Sequence, residues 1–263
     1  MYEHLIYEVT EGVCRITLNR PQVYNALNPG LIREITAAME AAGSDAAVRV
    51  VLLTGAGEQA FSSGADLKEG MQNAGGSGMN LGESLRNGYH PMIRAIRNLP
   101  KPVIGRLNGV AAGAGCSLAL ACDVLIAADE AYLSQIFVNI GLMPDAGLTF
   151  FLPRLVGSLK AFELCSTGRR VYGPEAAQLG LVSRSVPRAE LDAAVAEVVA
   201  YYAAAPTAAI GAMKQVLNQS LYSDLEHQLE QEATEQDRLG RSADFGEGVL
   251  AFLTKRKPAF KGR

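Results

Sequence analysis

The chain has 263 residues, 49% of them hydrophobic and 19% charged, with a net charge of −3. That is enough apolar material for one large core, with or without a helical extension, and it carries no general cationic surplus, so nucleic acid is not the expected partner. The longest apolar stretch of interest, Leu107 to Cys122, is too short to span a bilayer and is interrupted by Gly109, Gly113 and Gly115, so no membrane segment is expected.

The opening MYEHLIYEVT has no basic region ahead of an apolar one, so it does not read as a signal peptide. LIYEV and VCRITLN flank Thr10-Glu11-Gly12, a hairpin signal with glycine in the turn. LNPGLIREITAAMEAAG predicts a helix with Asn28 as N-cap, Pro29 in the first turn and Gly43 just past its end. Leu31, Ile35 and Met39 share one face at four-residue spacing. VRVVLLTG follows as a β-branched run suited to a strand covered on both sides. The segment QNAGGSGMNLGESL, residues 72–85, reads as a mobile loop, after which helical spacing resumes in YHPMIRAIRNL.

KPVIGRLNG, a glycine-alanine turn, CSLALACD and VLIAAD repeat the strand-to-helix alternation, which predicts an α/β fold with largely parallel pairing. From about Pro187 the composition turns to Ala, Glu and Gln at helical spacing, giving a core over 1–195 and a helical module over 196–263. Cys14, Cys116, Cys122 and Cys165 lack C-x-x-C spacing and fit buried thiols of a cytoplasmic protein. His4, His90 and His227 are widely separated and form no ligand pattern, so no metal site is expected.

Two segments, FSSGADL (61–67) and NGVAAGAGCSLAL (108–120), pass from strand toward helix through small residues. Amide groups at a helix start lack intrahelical partners, and Gly and Ala let another group come close to the main chain. Two such turns facing each other could form an oxyanion hole; the same residues also serve ordinary close packing. In IGLMPDAGLTFFLPR one carboxylate, Asp145, follows a proline in an apolar run. It either caps the next helix or acts as an acid/base, and the two roles are compatible. Apolar surroundings would raise its pKa and a helix end would lower it.

NALN (25–28), FSSGADL, KPVIGRLNGVAAGAGCSLALACD, IGLMPDAG, GPEAAQLGLVSRSVP and the ending RSADFGEGVLAFLTKRKPAFKGR occur in the order and spacing of the crotonase (enoyl-CoA hydratase/isomerase) superfamily, which the chain resembles over nearly its whole length. The resemblance implies a spiral of ββα units followed by helices that form a homotrimer or a dimer of trimers. It implies a substrate carried as a coenzyme A thioester, with no permanently bound cofactor. It maps the two oxyanion donors to the N–H groups of Ala65 and Ala114, and the adenine pocket to main chain near Ala26, Leu27, Ser63, Ala65, Asp66 and Leu67.

Members that hydrate enoyl-CoA use two glutamates, one to deprotonate water and one to deliver a proton; at the matching positions stand Ser117 and Phe137. GVAAGAG, PD-x-G and the RSAD…EGV-x-AFL-x-KR tail are similar to 1,2-epoxyphenylacetyl-CoA isomerases, in which an Asp at the position of Asp145 is the only acid/base. The resemblance therefore points to an isomerase. Alternatives are a slow hydratase, a dehalogenating reaction with Asp145 as nucleophile (this chain has no Trp to assist it), and a non-enzymatic RNA binder using Lys255, Arg256, Lys257, Lys261 and Arg263.

Leu148 stands where relatives carry glycine, and is expected to narrow the acyl pocket or shift Asp145. Arg106 lies in a strand, either at an edge or needing a buried partner. Asp66 is expected to cap a helix, Asp123 to be structural, Glu83 to be a solvated loop acid, and Tyr89 and His90 to pack or to line the pocket.

Overall fold

The computed structural model describes residues 2–73 and 80–263. Its strands, in chain order, are β1 (Leu5–Thr10), β2 (Val13–Leu18), β3 (Val50–Gly55), β4 (Ala60–Ser62), β5 (Val103–Leu107), β6 (Val110–Ala112), β7 (Val124–Ala128), β8 (Tyr132–Ser134), β9 (Val171–Tyr172) and β10 (Arg184–Val186). The larger sheet runs β1-β2-β3-β5-β7-β10 and the smaller one β4-β6-β8-β9. Among the described residues only the pairs β1/β2 and β8/β9 are antiparallel.

The helices are α1 (Pro29–Ser44), α2 (Leu67–Asn73), α3 (Leu81–Ser84), α4 (His90–Asn98), α5 (Ala114–Leu120), α6 (Leu148–Val156), α7 (Ser158–Thr167), α8 (Gly173–Gln178), α9 (Leu191–Ala204), α10 (Thr207–Ser220), α11 (Leu225–Leu239) and α12 (Ala243–Leu253). In the passages β3-β4-α2 and β5-β6-α5 the first strand joins the larger sheet and the second the smaller; β7 and β8 do the same. This is the expected α/β spiral of ββα units.

Local sequence explains the entry elements. Glu11 and Gly12 both have positive φ, 51° and 82°, the pairing of a two-residue turn whose twist matches the hairpin. The Asn28 side chain accepts the Leu31 N–H at 2.8 Å, as a cap should. The helix it starts runs through Ser44, so Gly43 lies inside the last turn and not beyond it. A Cβ there would come within 3.1 Å of the Leu99 side chain, which makes packing the reason for the glycine. Strand β3 is buried at every residue, between β2 and β5.

The segment 72–85 expected as a loop holds the end of α2, all of α3 and the first residue of the π-helical turn Leu85–Tyr89; its centre, residues 74–79, lies outside the described residues. Arg106 is on interior strand β5, and its partner is Asp192 on α9 at 2.8 Å. Residue 196 falls inside α9, whose Leu191, Ala194, Val195 and Val199 belong to the main core. Among the described residues no single helix is long and apolar enough to cross a membrane.

Asp123 ties this core to α10. Its Oδ2 accepts the Val103 N–H at 2.8 Å and pairs with Lys214 Nζ at 2.7 Å. Lys214 also donates to the Ile96 and Lys101 carbonyls. Burial lowers the Lys214 pKa against the pull of Asp123. The basic C-terminus is folded back: Asp244 accepts the N–H groups of Lys261 and Gly262 at 2.6 and 2.7 Å, Arg49 holds the Phe260 carbonyl at 2.9 Å, and Arg256 pairs with Glu247.

Removing one partner of a buried pair strands the other charge. Lys214→Ala is expected to lower unfolding stability by about 3 kcal/mol, measured as a shift in urea midpoint at constant m value.

Candidate active site

Two glycines decide where the site lies. Gly64, with φ of +96°, follows β4, and a Cβ there would stand 2.6 Å from the Ala112 carbonyl oxygen and 3.3 Å from Ala114 N. Gly115, in the first turn of α5, would place a Cβ 2.3 Å from the Ser62 carbonyl oxygen. The turn after β4 and the start of α5 are therefore packed backbone against backbone, which only glycine permits.

Each turn carries an alanine with an amide free for other work. The Leu27–Ala65 bridge uses the Leu27 N–H, given to Gly64 O at 2.7 Å, and the Asp66 N–H, given to Leu27 O at 3.0 Å. Ala114 opens α5 after Gly113, where no intrahelical acceptor exists. Among the described residues neither the Ala65 nor the Ala114 N–H makes a hydrogen bond. Both residues line one cavity of about 220 Å³, and Asp145 lines it too.

The structure corrects the cap reading of Asp145. Helix α6 begins at Leu148 with Gly147 as its cap and no side-chain cap bond. The carboxylate is not used in this way: Asp145 Oδ1 is buried and has no partner among the described residues. Its backbone carbonyl instead accepts the Leu148 N–H and the Ser117 hydroxyl, each at 3.0 Å. Ala146 and Gly147 follow with φ of 49° and 86°, and this left-handed pair separates the carboxylate from the helix start. Burial thus prevails over the helix end and pushes the Asp145 carboxyl up from its ordinary 3.8 to about 6.

Leu148 is fully buried in the main core and does not line the cavity, so the expected narrowing is absent. Ser117 is fully buried, its hydroxyl committed to Asp145, and Phe137 forms part of the cavity wall. Leu27, Ser63, Asp66 and Leu67 line the same cavity. Ala26 does not; its carbonyl is taken by Arg20 at 2.6 Å.

Asp66 caps α2 as expected, accepting the Glu69 N–H at 3.0 Å, and pairs with Arg20 at 2.9 Å. Burial acts to raise its pKa, but the Glu69 amide and Arg20 outweigh it and hold the carboxyl below its usual value. Tyr89 lines the cavity and His90 does not. Burial, with the charges of Asp145 and Asp66, raises the Tyr89 phenol well above its normal pKa. Glu83 is exposed and engaged with Asn80 in a reciprocal cap.

Several wall residues were not singled out in the sequence. Leu81 and Leu85 recur at four-residue spacing with Tyr89, which was named, and form a stripe with it, a signal that was present; residues Leu85–Tyr89 are π-helical, a form that widens a helix locally. Ile32 adjoins the named face of α1. Ile136 and Ile140 come from a five-residue 3₁₀ helix, Ile136–Ile140, and Leu142 follows it, a segment too short to show a helical pattern in sequence. Arg20, which organises the turn leading to Leu27, had none either.

Comparison with known proteins adds independent findings. The family model described as enoyl-CoA hydratase/isomerase matches residues 8–263. The chain is 45% identical over 262 residues to a "probable enoyl-CoA hydratase" of Rhodobacter capsulatus, covering 100% of this chain and 99% of that one. It is 38% identical over 263 residues to the 1,2-epoxyphenylacetyl-CoA isomerase of Escherichia coli, covering 100% of both. The crystal structure of an enoyl-CoA hydratase from Bacillus anthracis superposes with a TM-score of 0.90 at 36% identity, over 99% of this chain and 100% of that one.

An unpaired buried carboxyl carries a cost that depends on pH. Because its folded pKa lies above its unfolded one, Asp145 favours the fold fully below about pH 4, and that contribution is lost as pH rises through about 6. Asp145→Asn should therefore raise stability at pH 8 by roughly 1–2 kcal/mol, discounted for partial exposure, with the gain vanishing at pH 4. Thermal melts of both proteins across pH check the sign.

Proposed function

Because the chain belongs to the enoyl-CoA hydratase/isomerase family, whose members act on coenzyme A thioesters, we propose that it is an acyl-CoA isomerase using Asp145 as its single acid/base. One observation carries this reading: a desolvated, unpartnered carboxyl shares a small cavity with two free backbone N–H groups. No resident cofactor or metal takes part in the reaction, since the thioester itself supplies the electron sink.

The Ala65 and Ala114 N–H groups receive the thioester oxygen. The Asp145 carboxylate removes a proton from C2 of a 3-enoyl-CoA, and the electron pair moves into the dienolate. Each N–H lowers the energy of the resulting oxyanion, a contribution of about 3–4 kcal/mol for one donor in comparable sites. Protonated Asp145 then delivers the proton to C4, the double bond lies between C2 and C3, and the carboxylate is regenerated. The same enolate chemistry suits a ring-epoxide acyl-CoA, consistent with the 38% identical isomerase.

A pKa near 6 serves both halves of this cycle: at neutral pH the group is mostly a base, yet its acid form is strong enough to return the proton. The adenine of coenzyme A is assigned to main chain at Leu27, Ser63, Ala65, Asp66 and Leu67. The Ala26 carbonyl enters that pocket only if Arg20 releases it.

Hydratase names among the relatives favour a second reading, water addition. The two-acid form of that reaction has no support in the residues, since Ser117 gives its hydroxyl to the Asp145 loop and Phe137 is a hydrocarbon wall. Asp145 alone would have to serve both steps, at a lower rate.

Exposed Leu159 and Phe162 on α7 and Phe252 and Leu253 on α12 are the apolar surface that a homotrimer or dimer of trimers would cover. Light scattering should give three or six chain masses, and Leu159→Glu with Phe162→Glu should shift the population to a smaller species.

The direct test follows 3-hexenoyl-CoA and crotonyl-CoA spectrophotometrically. Wild type should form 2-enoyl-CoA from the first, with a rate that rises with pH through about 6 and then levels. Asp145→Asn should lose activity by about 10²–10⁴-fold. Fast hydration of crotonyl-CoA with no isomerisation would favour the second reading, and an active Asp145→Asn enzyme would overturn both.

A further inference from the structure

The segment that carries Asp145 has little to hold it. Between the Leu142 N–H, which donates to Phe137 O at 3.0 Å, and the start of α6, the described residues show one hydrogen bond from residues 143–147 to a different element. That bond joins Ser117 Oγ to Asp145 O at 3.0 Å, within a fully buried α5 side chain. The next residue, Ala146, has φ of 49°, a left-handed conformation that alanine holds only when its surroundings impose it.

Ser117 lies one turn beyond Ala114 on α5. The same short helix therefore presents an amide to the cavity at its first residue and a hydroxyl to the Asp145 backbone at its fourth. From this geometry we infer that Ser117 is a positioning residue: its hydroxyl fixes the distance and direction from the carboxyl to the Ala114 N–H, and so couples the acid/base to the oxyanion donors. The inference rests on the isomerase reading and adds to it. Where a two-acid relative places a proton carrier at this position, this chain has a clamp on its one remaining acid.

The requirement is geometric. Proton transfer to and from carbon needs the carboxyl oxygen close to both C2 and C4 while the thioester oxygen stays on the two amides. Asp145 O keeps its Leu148 bond when Ser117 is truncated, so α6 still has its first turn. What is lost is the cross-tie to α5. The carboxyl then has more freedom to turn toward water, and the desolvation that raises its pKa weakens. The titratable groups facing the carboxyl in the cavity are Tyr89 from the π-helical turn and Asp66 from the α2 start. Both stay in one protonation state from pH 5 to 8, since Tyr89 is raised and Asp66 lowered. A change in the profile over that range belongs to Asp145.

The experiment compares wild type, Ser117→Ala, Ser117→Thr and Asp145→Asn. It measures kcat and KM on 3-hexenoyl-CoA against pH, and titrates the Asp145 carboxyl stretch by infrared difference against Asp145→Asn without substrate. Ser117→Ala should lose about tenfold in kcat at little cost in KM, consistent with displacement of a reacting group by a fraction of an ångström. Its carboxyl titration should move below that of wild type, and Ser117→Thr, which keeps the hydroxyl, should recover most of both.

Wild-type kcat and an unmoved titration in Ser117→Ala would overturn the positioning role while leaving the acid/base reading intact. So would an equal loss in Ser117→Ala and Ser117→Thr with the titration unchanged, the signature of packing alone. Full activity in Asp145→Asn would overturn the inference together with the reading beneath it. The infrared titration decides the positional claim even on a poor substrate.

Discussion

The chemistry available to this protein depends on a contact in which there is no room for a methyl group. The turn after β4 and the first turn of α5 meet backbone to backbone at Gly64 and Gly115, where an added Cβ would sit well inside any tolerable distance. That contact aligns two strand-to-helix turns, each leaving an amide without an internal acceptor. A single helix start with one free N–H is an ordinary feature of any α/β protein. Two of them opening into one cavity is the arrangement on which the proposed oxyanion site rests, since such donors would need no rearrangement when charge appears.

The acid is placed by a different device. Asp145 looks in sequence like the first residue of a helix, and the fold delays that helix by three residues. The left-handed pair Ala146-Gly147 supplies the delay. A capping carboxylate would be stabilised as an anion and would be a weak base. Separated from the helix amides and set in an apolar wall, the same group is pushed up by burial to about 6. The contrast with Asp66 is instructive: that residue lines the same cavity, but the Glu69 amide and Arg20 hold its pKa below the usual carboxylate value against burial. Two carboxylates lining one cavity are thus driven in opposite directions.

Such a site stores cost: a strained alanine, an unsatisfied carboxyl oxygen, two idle amides and a π-helical turn. The rest of the molecule supplies the stability that offsets it. The nearly continuous hydrophobic interior of the larger sheet does most of this. The Asp123–Lys214 pair then anchors α10. Asp244 fastens the C-terminal tail by two amide bonds, which turns a run of lysines and arginines from a free basic arm into a docked strap.

Much of this could be seen before any coordinates. The hairpin, the Asn28 cap, the buried β3 run and the alternation of strands and helices follow from patterns within a few residues, and local rules govern them. Asp123 and Asp66 were legible for the same reason, as acids at element boundaries. The nature of two small-residue turns was legible only as a pair of possibilities, close packing or anion binding; the structure shows the close packing, which brings two unbonded amides to one cavity. The spurious narrowing by Leu148 and the capping role of Asp145 both came from starting α6 too early. The helix begins at Leu148 with Gly147 as its cap, so Asp145 lies outside the cap and Leu148 packs in the core.

By itself, then, the sequence determined the α/β class, the succession of its elements and the residue types that could do chemistry, because each depends on neighbours along the chain; the spiral of ββα units was implied by the family resemblance. Which of those residues meet was decided only by tertiary structure. Ser117 and Asp145 are far apart in sequence and joined by one hydrogen bond; Ala65 and Ala114 come from different ββα passages and open into one cavity. The pKa of Asp145 is decided there as well, since desolvation depends on everything packed around a group and not on the residues beside it in the chain.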